Sequence, residues 1–170
     1  FFRFHDRYKY TGPELLGNPQ FLLGLDQWRH SGEITILPQT GEAALDNATF
    51  TKTTHLTQTI SDFKRHALLK LAGDLRISDV QTGNAYWKKA RIILAFYDNS
   101  GKGMYYLPHV LVEKAGDSDW GHYERIFRVP AEAVEARVSV QLPESTGNMV
   151  VRHLSLRPVA ETRTFGHYRL

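Results

Sequence analysis

Residues 60–77 read ISDFKRHALLKLAGDLRI, and the fold turns on whether they coil or extend. Ile60, Phe63, Ala67, Leu71 and Leu75 fall near helical spacing, whereas Leu69, Leu71, Gly73, Leu75 and Ile77 alternate as a strand does. Periodicity within the segment leaves both readings open. The chain around it is less ambiguous. From Glu33 onward it is a succession of short apolar or alternating runs cut by Gly, Pro, Asn and Asp, the pattern of an antiparallel β sandwich.

The clearest strands are EITIL (33–37), HLTQTI (55–60), KARIILAFYD (89–98), HYERIFRVP (122–130), EARVSVQLP (135–143) and MVVRHLSLRP (149–158). Asp98-Asn99-Ser100-Gly101-Lys102-Gly103 predicts a hairpin turn, because Asn and Gly tolerate positive φ. VPAEAVEARV (129–138) has helical composition, but Pro130 followed by Val-rich alternation favours a loop running into a strand. No internal repeat or low-complexity segment is visible.

With 170 residues, 42% hydrophobic and 12% aromatic, the chain suits one globular domain with a full core. Its 21 Lys and Arg against 18 Asp and Glu give a formal +3, scattered rather than gathered, so it carries no nucleic-acid footprint. There is no cysteine, which excludes a disulfide frame and a Cys-based zinc site and suits cytosol or a Gram-negative-type periplasm equally. The longest apolar stretch, Ile92 to Tyr97, is far short of the ~20 residues a membrane helix needs. FFRFHDRYKY (1–10) interleaves aromatics with Arg3, Arg7 and Lys9, as segments at a membrane interface do, and ETRTFGHYRL (161–170) repeats that flavour more weakly. Residues 1–15 are therefore read as an aromatic and basic lead-in of juxtamembrane character, 16–158 as the domain, and 159–170 as a tail.

Asn18, Phe21, Gly24-Leu25 and Trp28 resemble the opening signature of carbohydrate-binding modules of the galactose-binding-like β-jelly-roll superfamily, an N-x-x-F…G-L…W segment ahead of the first strand. Leu56-Thr-Gln58-Thr-Ile60 resembles that family's L-x-Q-x-I strand, FYDNSG (96–101) its F-Y-D-x-x-G hairpin, and Trp120 with FRVP (127–130) its W…F-x-V-P step. MVVRHLSLRPV (149–159) sits where the family ends in G-x-x-x-x-D-D-V-S-L. The likeness spans residues 16–158 and implies an all-β fold, an antiparallel β-sandwich jelly roll of about eight or nine strands, with 67–77 extended. Phe21 and Trp28 would then cap one end of the sandwich, with Asn18 and Gly24 permitting the turns between them.

Many modules of this family hold a structural calcium through an acidic residue after the opening Phe and an Asp in the closing strand. Here those places are taken by Leu22 and by Arg152-His153, and a cation beside the site would repel calcium. No metal or cofactor is expected. Nor is an enzyme: there is no G-x-S-x-G elbow, H-E-x-x-H pair, Walker loop or Cys nucleophile, and the eight histidines never fall at i, i+2 or i, i+4. Glu124 and Asp98 are a carboxylate pair whose separation would decide any glycosidase role. Asn47-Ala48-Thr49 fits a glycosylation sequon, a common chance match.

Saccharides are held by aromatic faces and by planar side chains that donate paired hydrogen bonds, so such residues on the solvent side of strands are the candidates. Alternation turns Phe127 and Val129 inward and Glu124 and Arg128 outward. In the same way it turns Val138, Val140 and Leu142 inward against Arg137, Ser139 and Gln141, and Ala90, Ile92, Leu94 and Phe96 inward against Arg91 and Tyr97. Arg76 is expected to continue the row on the neighbouring strand. The proposed carbohydrate site is thus Arg76, Arg91, Tyr97, Glu124, Arg128 and Gln141 on an outer face, with the loop aromatics Trp87 (beside Tyr86) and Tyr105 (beside Tyr106) as a second group. The resulting expectation is a non-catalytic domain binding a polysaccharide or oligosaccharide, acidic chains included. It would be periplasmic or extracellular and belong to a larger, membrane-tethered bacterial envelope or polysaccharide-handling protein. The alternative is an extracytoplasmic structural or protein-interaction domain of a membrane protein, with no sugar site.

Overall fold

In the computed structural model, which describes residues 7–162, the ambiguous segment is extended: Leu68–Gln81 form one 14-residue strand. The helix-like spacing has a separate cause. Ile60 and Phe63 lie in the turn ahead of that strand, yet both are buried, and the Phe63 ring meets Phe96 at 6.0 Å between centroids.

The strands run β1 (Tyr8–Tyr10), β2 (Arg29–Ser31), β3 (Glu33–Leu37), β4 (Glu42–Asn47), β5 (Thr54–Thr59), β6 (Leu68–Gln81), β7 (Ala90–Tyr97), β8 (Val110–Lys114), β9 (Gly116–Arg128), β10 (Glu135–Leu142) and β11 (Thr146–Glu161). They form two antiparallel sheets. One has the order β3-β4-β11-β6-β9, with β1 also pairing β11; the other has the order β2-β5-β10-β7-β8. The fold is an all-β sandwich of the jelly-roll type. The count of eleven exceeds eight or nine: β1 and β2 have only three residues each, and β4 and β8 were not among the strands read from the sequence.

The core lies between the two inner faces. Leu69, Leu71, Leu75 and Ile77 of β6 and Met149, Val151, Leu154 and Leu156 of β11 meet Val138, Val140 and Leu142 of β10 and Ile92, Leu94 and Phe96 of β7. Each such side chain contributes about 1.5–3 kcal/mol by leaving water. A β-bulge tunes the packing: Arg152 pairs with Asp74 and Ser155 with Ala72, so His153 and Leu154 together face Gly73. His153 takes a left-handed φ of 56° there, and Leu154 turns into the core. A Cβ on Gly73 would sit 2.8 Å from Leu154 Cδ2, so any larger residue there would force the Leu154 side chain to shift.

The stretch 17–28 closes one end of the sandwich around Asn18. Its amide donates to the carbonyls of Gly24 (3.0 Å) and Asp26 (2.9 Å), its Oδ1 accepts from the Leu23 N–H (3.1 Å), and its carbonyl accepts from Trp28 Nε1 (3.0 Å). Phe21 and Trp28 are buried with ring centroids 5.6 Å apart. Asp98 organises the hairpin turn in the same manner, its Oδ1 accepting from the N–H groups of Ser100 (2.9 Å) and Lys102 (3.0 Å).

β1 pairs with the end of β11, Tyr8 facing Glu161 and Tyr10 facing Val159. The Glu14 carboxylate accepts from Leu156 N–H (2.6 Å) and from the Ser155 hydroxyl (2.7 Å). Residues 8–15 and 159–161, set apart above as lead-in and tail, are therefore tied into the sheet. Residues 1–6 and 163–170 lie outside the described residues. Asn47 of the sequon is buried, and its amide donates to the carbonyls of Thr49, Lys52 and Ser145. That hydrogen-bonded role stands against its serving as a glycan acceptor.

Candidate functional site

Alternation on β5, β10 and β7 sends one set of side chains out of the second sheet, and register lines them up. Gln141 faces both Arg91 and His55, Ser139 faces Ile93 and Thr57, and Arg137 faces Ala95. These residues floor a cleft of about 590 Å³, walled by Tyr86 and Trp87 from the loop before β7 and by Tyr105 and His109 from the segment between β7 and β8. Ile93 and Ala95 point out of the sandwich yet are only 5% and 1% exposed, because these walls cover them.

The floor is polar along β5 and β10. His55 Nδ1 lies 3.0 Å from the Thr57 hydroxyl, which is 2.9 Å from the Ser139 hydroxyl, and Gln141 Nε2 donates to that same oxygen at 2.9 Å. Burial, then the charges of Arg29 and His30, push the His55 ring below its ordinary pKa.

Two guanidinium groups line the same space. Arg91, only 6% exposed, donates through Nη2 to Glu113 (3.0 Å) and lies 3.3 Å from His109 Nε2. His109 Nδ1 donates to the Leu107 carbonyl at 2.9 Å, which leaves Nε2 as the acceptor. Arg91 Nε is buried without an acceptor among the described residues, a deficit that costs about 1–3 kcal/mol. Burial lowers the Arg91 pKa, and Glu113 partly offsets it. Arg137 donates through Nε to Glu135 (2.7 Å) and lies 4.2 Å above the Tyr97 ring; its pairing with Glu135 raises its pKa. The Tyr97 and Tyr105 hydroxyls are 2.8 Å apart, and burial, then that bond, push Tyr105 up to about 12.

Of the candidates read from sequence, the structure brings Arg91, Tyr97, Gln141, Trp87 and Tyr105 together. It separates Arg76, Glu124 and Arg128, and the single continuous row must be corrected. Each of the three does face outward, but from β6 and β9, which belong to the opposite sheet. A period of two reports which side of its own sheet a residue takes, not which sheet it joins. Arg76 stacks on Trp120 (5.0 Å), Glu124 pairs with Lys70 (3.4 Å), and Arg128 is exposed beyond them. Glu124 and Asp98 are likewise apart, the former on β9 and the latter in the turn after β7. The sequence reading left His55, Thr57, Arg137, Ser139 and His109 out of the site. The outward alternation of HLTQTI and EARVSVQL was the available signal for all but His109.

On that opposite face Asp74 gathers His122 Nδ1 (2.8 Å), His153 Nδ1 (2.8 Å) and Arg152 Nε (3.2 Å), and His122 Nε2 reaches Glu124 at 3.0 Å. Burial pushes the Asp74 carboxyl up, but these hydrogen bonds outweigh it and hold it low, while they raise His122. Among the described residues no cluster of three or more His, Cys, Asp and Glu is arranged to hold a metal. The calcium that the family resemblance implies does not fit these residues. The Arg152 cation and His153 already take up the Asp74 carboxylate, and Leu22 offers no side-chain oxygen.

No family model and no curated protein matches the chain. Solved structures do. A family 61 carbohydrate-binding module in complex with β-1,4-galactotriose superposes with a TM-score of 0.53 at 15% identity, over 86% of this chain and 99% of that one. A xylan-binding domain of family 22 gives 0.56 at 16%, over 90% and 96%. The enzymatically active domain of bacteriophage CBA120 tailspike protein 4 gives 0.62 at 13%, over 88% of this chain, which spans only 21% of that domain. The chain has the β-jelly-roll fold of the carbohydrate-binding modules.

Proposed function

We propose that this is a non-catalytic carbohydrate-binding domain that holds a polysaccharide or oligosaccharide, acidic chains included, in the cleft over β5, β10 and β7. The observation that carries the reading is the cleft itself. An apolar strip of Ile93 and Ala95 lies beside the His55–Thr57–Ser139–Gln141 network, under a wall bearing Trp87 and Tyr105. That combination meets both the C–H faces and the hydroxyls of a sugar. Similar folds that bind xylan and galactotriose support it. The non-catalytic assignment is supported by the lining, which contains no Asp or Glu, whereas glycoside hydrolysis ordinarily uses two. The aromatic and basic composition of FFRFHDR (1–7), ahead of β1, supports a membrane tether through a larger periplasmic or extracellular parent of the envelope or polysaccharide-handling kind.

Affinity electrophoresis through gels cast with xylan, galactan, glucan and polyuronates tests it. Retention is expected on at least one polymer. Trp87→Ala should weaken it by about 1–3 kcal/mol without lowering the melting temperature, the magnitude of one lost contact to a buried partner. Unretarded migration through the whole panel would refute the reading.

A further inference from the structure

The cleft lining carries two arginines and two histidines and no carboxylate. Glu113 and Glu135 touch the guanidinium groups at Arg91 Nη2 and Arg137 Nε and do not line the cleft themselves, so they orient the two forks and leave other N–H donors for a ligand. At Arg91, which lines the cleft, the bonds to Glu113 and to His109 both use Nη2. At Arg137 the guanidinium lies over the Tyr97 ring at 4.2 Å and occupies an aromatic face on which a neutral sugar would otherwise stack. Recognition along this floor passes from ring faces to charged donors.

The spacing adds a second constraint. Arg91 faces Gln141 at one end of the floor and Arg137 faces Ala95 at the other, four residues along the strands or about 14 Å at ~3.4 Å per residue. A chain laid along β7 and β10 meets a cation near each end, so a single anionic substituent could satisfy only one. Arg29, which faces Thr57 from the adjoining strand β2, sets a further cation beside the cleft floor.

Resting on the sugar-binding reading above, we propose that the ligand is a uronate-containing saccharide with repeated carboxylates, and that Arg91 and Arg137 are the residues that read them. A carboxylate is planar and two-pronged, the shape a guanidinium fork matches with paired hydrogen bonds. The β-1,4-galactotriose held by a similarly folded module offers no such group.

The decisive comparison is between polyuronates, such as polygalacturonate and alginate, and the same polymers after carboxyl reduction, which keeps the backbone and removes the charge. The full chain should be retarded by at least one polyuronate and released by carboxyl reduction. Arg137→Ala and Arg137→Lys should each weaken binding about tenfold or more, as loss of a charge-assisted pair does. Arg91→Lys should do likewise, with its melting curve recorded because the side chain is buried. Arg128→Ala, on the other sheet, should change nothing. Retention that survives carboxyl reduction, a wild-type response to Arg137→Ala, or equal retention on dextran sulfate or single-stranded DNA overturns the uronate assignment. Retention on neutral xylan or galactan alone overturns it too and leaves the sugar-binding reading standing, whereas no retention on any polysaccharide removes both.

Discussion

Trp28→Ala tests whether the 17–28 segment is a structural plug. Trp28 is 5% exposed, packs on Phe21 and donates its indole N–H to the Asn18 carbonyl at 3.0 Å. Truncating a buried Trp to Ala costs about 3–5 kcal/mol through lost transfer energy and the cavity left behind. The hydrogen bond adds about 0.5–1.5 kcal/mol and no more, because the Asn18 carbonyl keeps its second donor, the Phe21 N–H at 3.3 Å. The sum, about 4–6 kcal/mol, is comparable with the whole stability of many domains, which runs to about 5–15 kcal/mol. For a chain of this length it corresponds to a fall in melting temperature of roughly 8–24 °C, while Trp28→Phe, which keeps a ring beside Phe21, should lose roughly a third of that. Urea unfolding followed by far-ultraviolet circular dichroism measures both variants. A loss under about 1 kcal/mol for Trp28→Ala would show that the plug is dispensable and that the tryptophan is held in place for another reason.

The Asp74 cluster should make stability depend on pH in a defined sense. His122 is raised by its bonds to Asp74 and Glu124, so its contribution is complete below its unfolded pKa near 6.5 and fades as pH rises through the raised value. Asp74 and Glu124 are held low, so theirs persists above the ordinary carboxylate range and fades as pH falls through the lowered values. The melting-temperature difference between wild type and His122→Gln should therefore peak at about pH 5–6; a difference that grows above pH ~8 would contradict the pairing. Millimolar calcium should not raise the melting temperature over chelator, since ligand linkage requires a site that Leu22, Arg152 and His153 do not supply; a clear rise in differential scanning fluorimetry would overturn this. Removing residues 1–12 should lower the melting temperature, because β1 pairs with β11 and Tyr10 stacks under Arg157 (3.9 Å), and an unchanged melting curve would show that β1 adds nothing.

The reach of the sequence can be stated residue by residue. The inward or outward sense of β9 and β10 was legible, because burying one sheet face imposes a period of two that a single misplaced charge would break, and that of β7 followed from Arg91 and Tyr97 near its two ends. Leu154 was not, since the bulge at His153 shifts the register within β11 and no composition rule marks the site of an inserted residue. Sheet membership was illegible for a different reason. β6 and β7 are consecutive in the chain and both carry an outward arginine, Arg76 and Arg91, yet the connection between them crosses from one sheet to the other. The two side chains point away from each other on opposite faces of the sandwich. Local pattern contains no record of that crossing, which is set by long-range pairing of β6 with β11 and β7 with β10.

One feature of β7 could have located the cleft without any knowledge of pairing. Ile92-Ile93-Leu94-Ala95-Phe96 is apolar at every position, where a strand with one solvated face would alternate. Ile92, Leu94 and Phe96 account for the core. Ile93 and Ala95 then require cover on the opposite side, and in a sandwich that cover can come only from loops and from long side chains folded back over the sheet. The aromatic pairs in GNAYWKK and GMYYLPH flank this strand in sequence, and Trp87 and Tyr105 do supply the walls. A continuous apolar strand bracketed by loop aromatics thus encodes a floor and its walls together. The arginines and the hydroxyl row set into that floor are what turn a covered patch into a place for a polar chain.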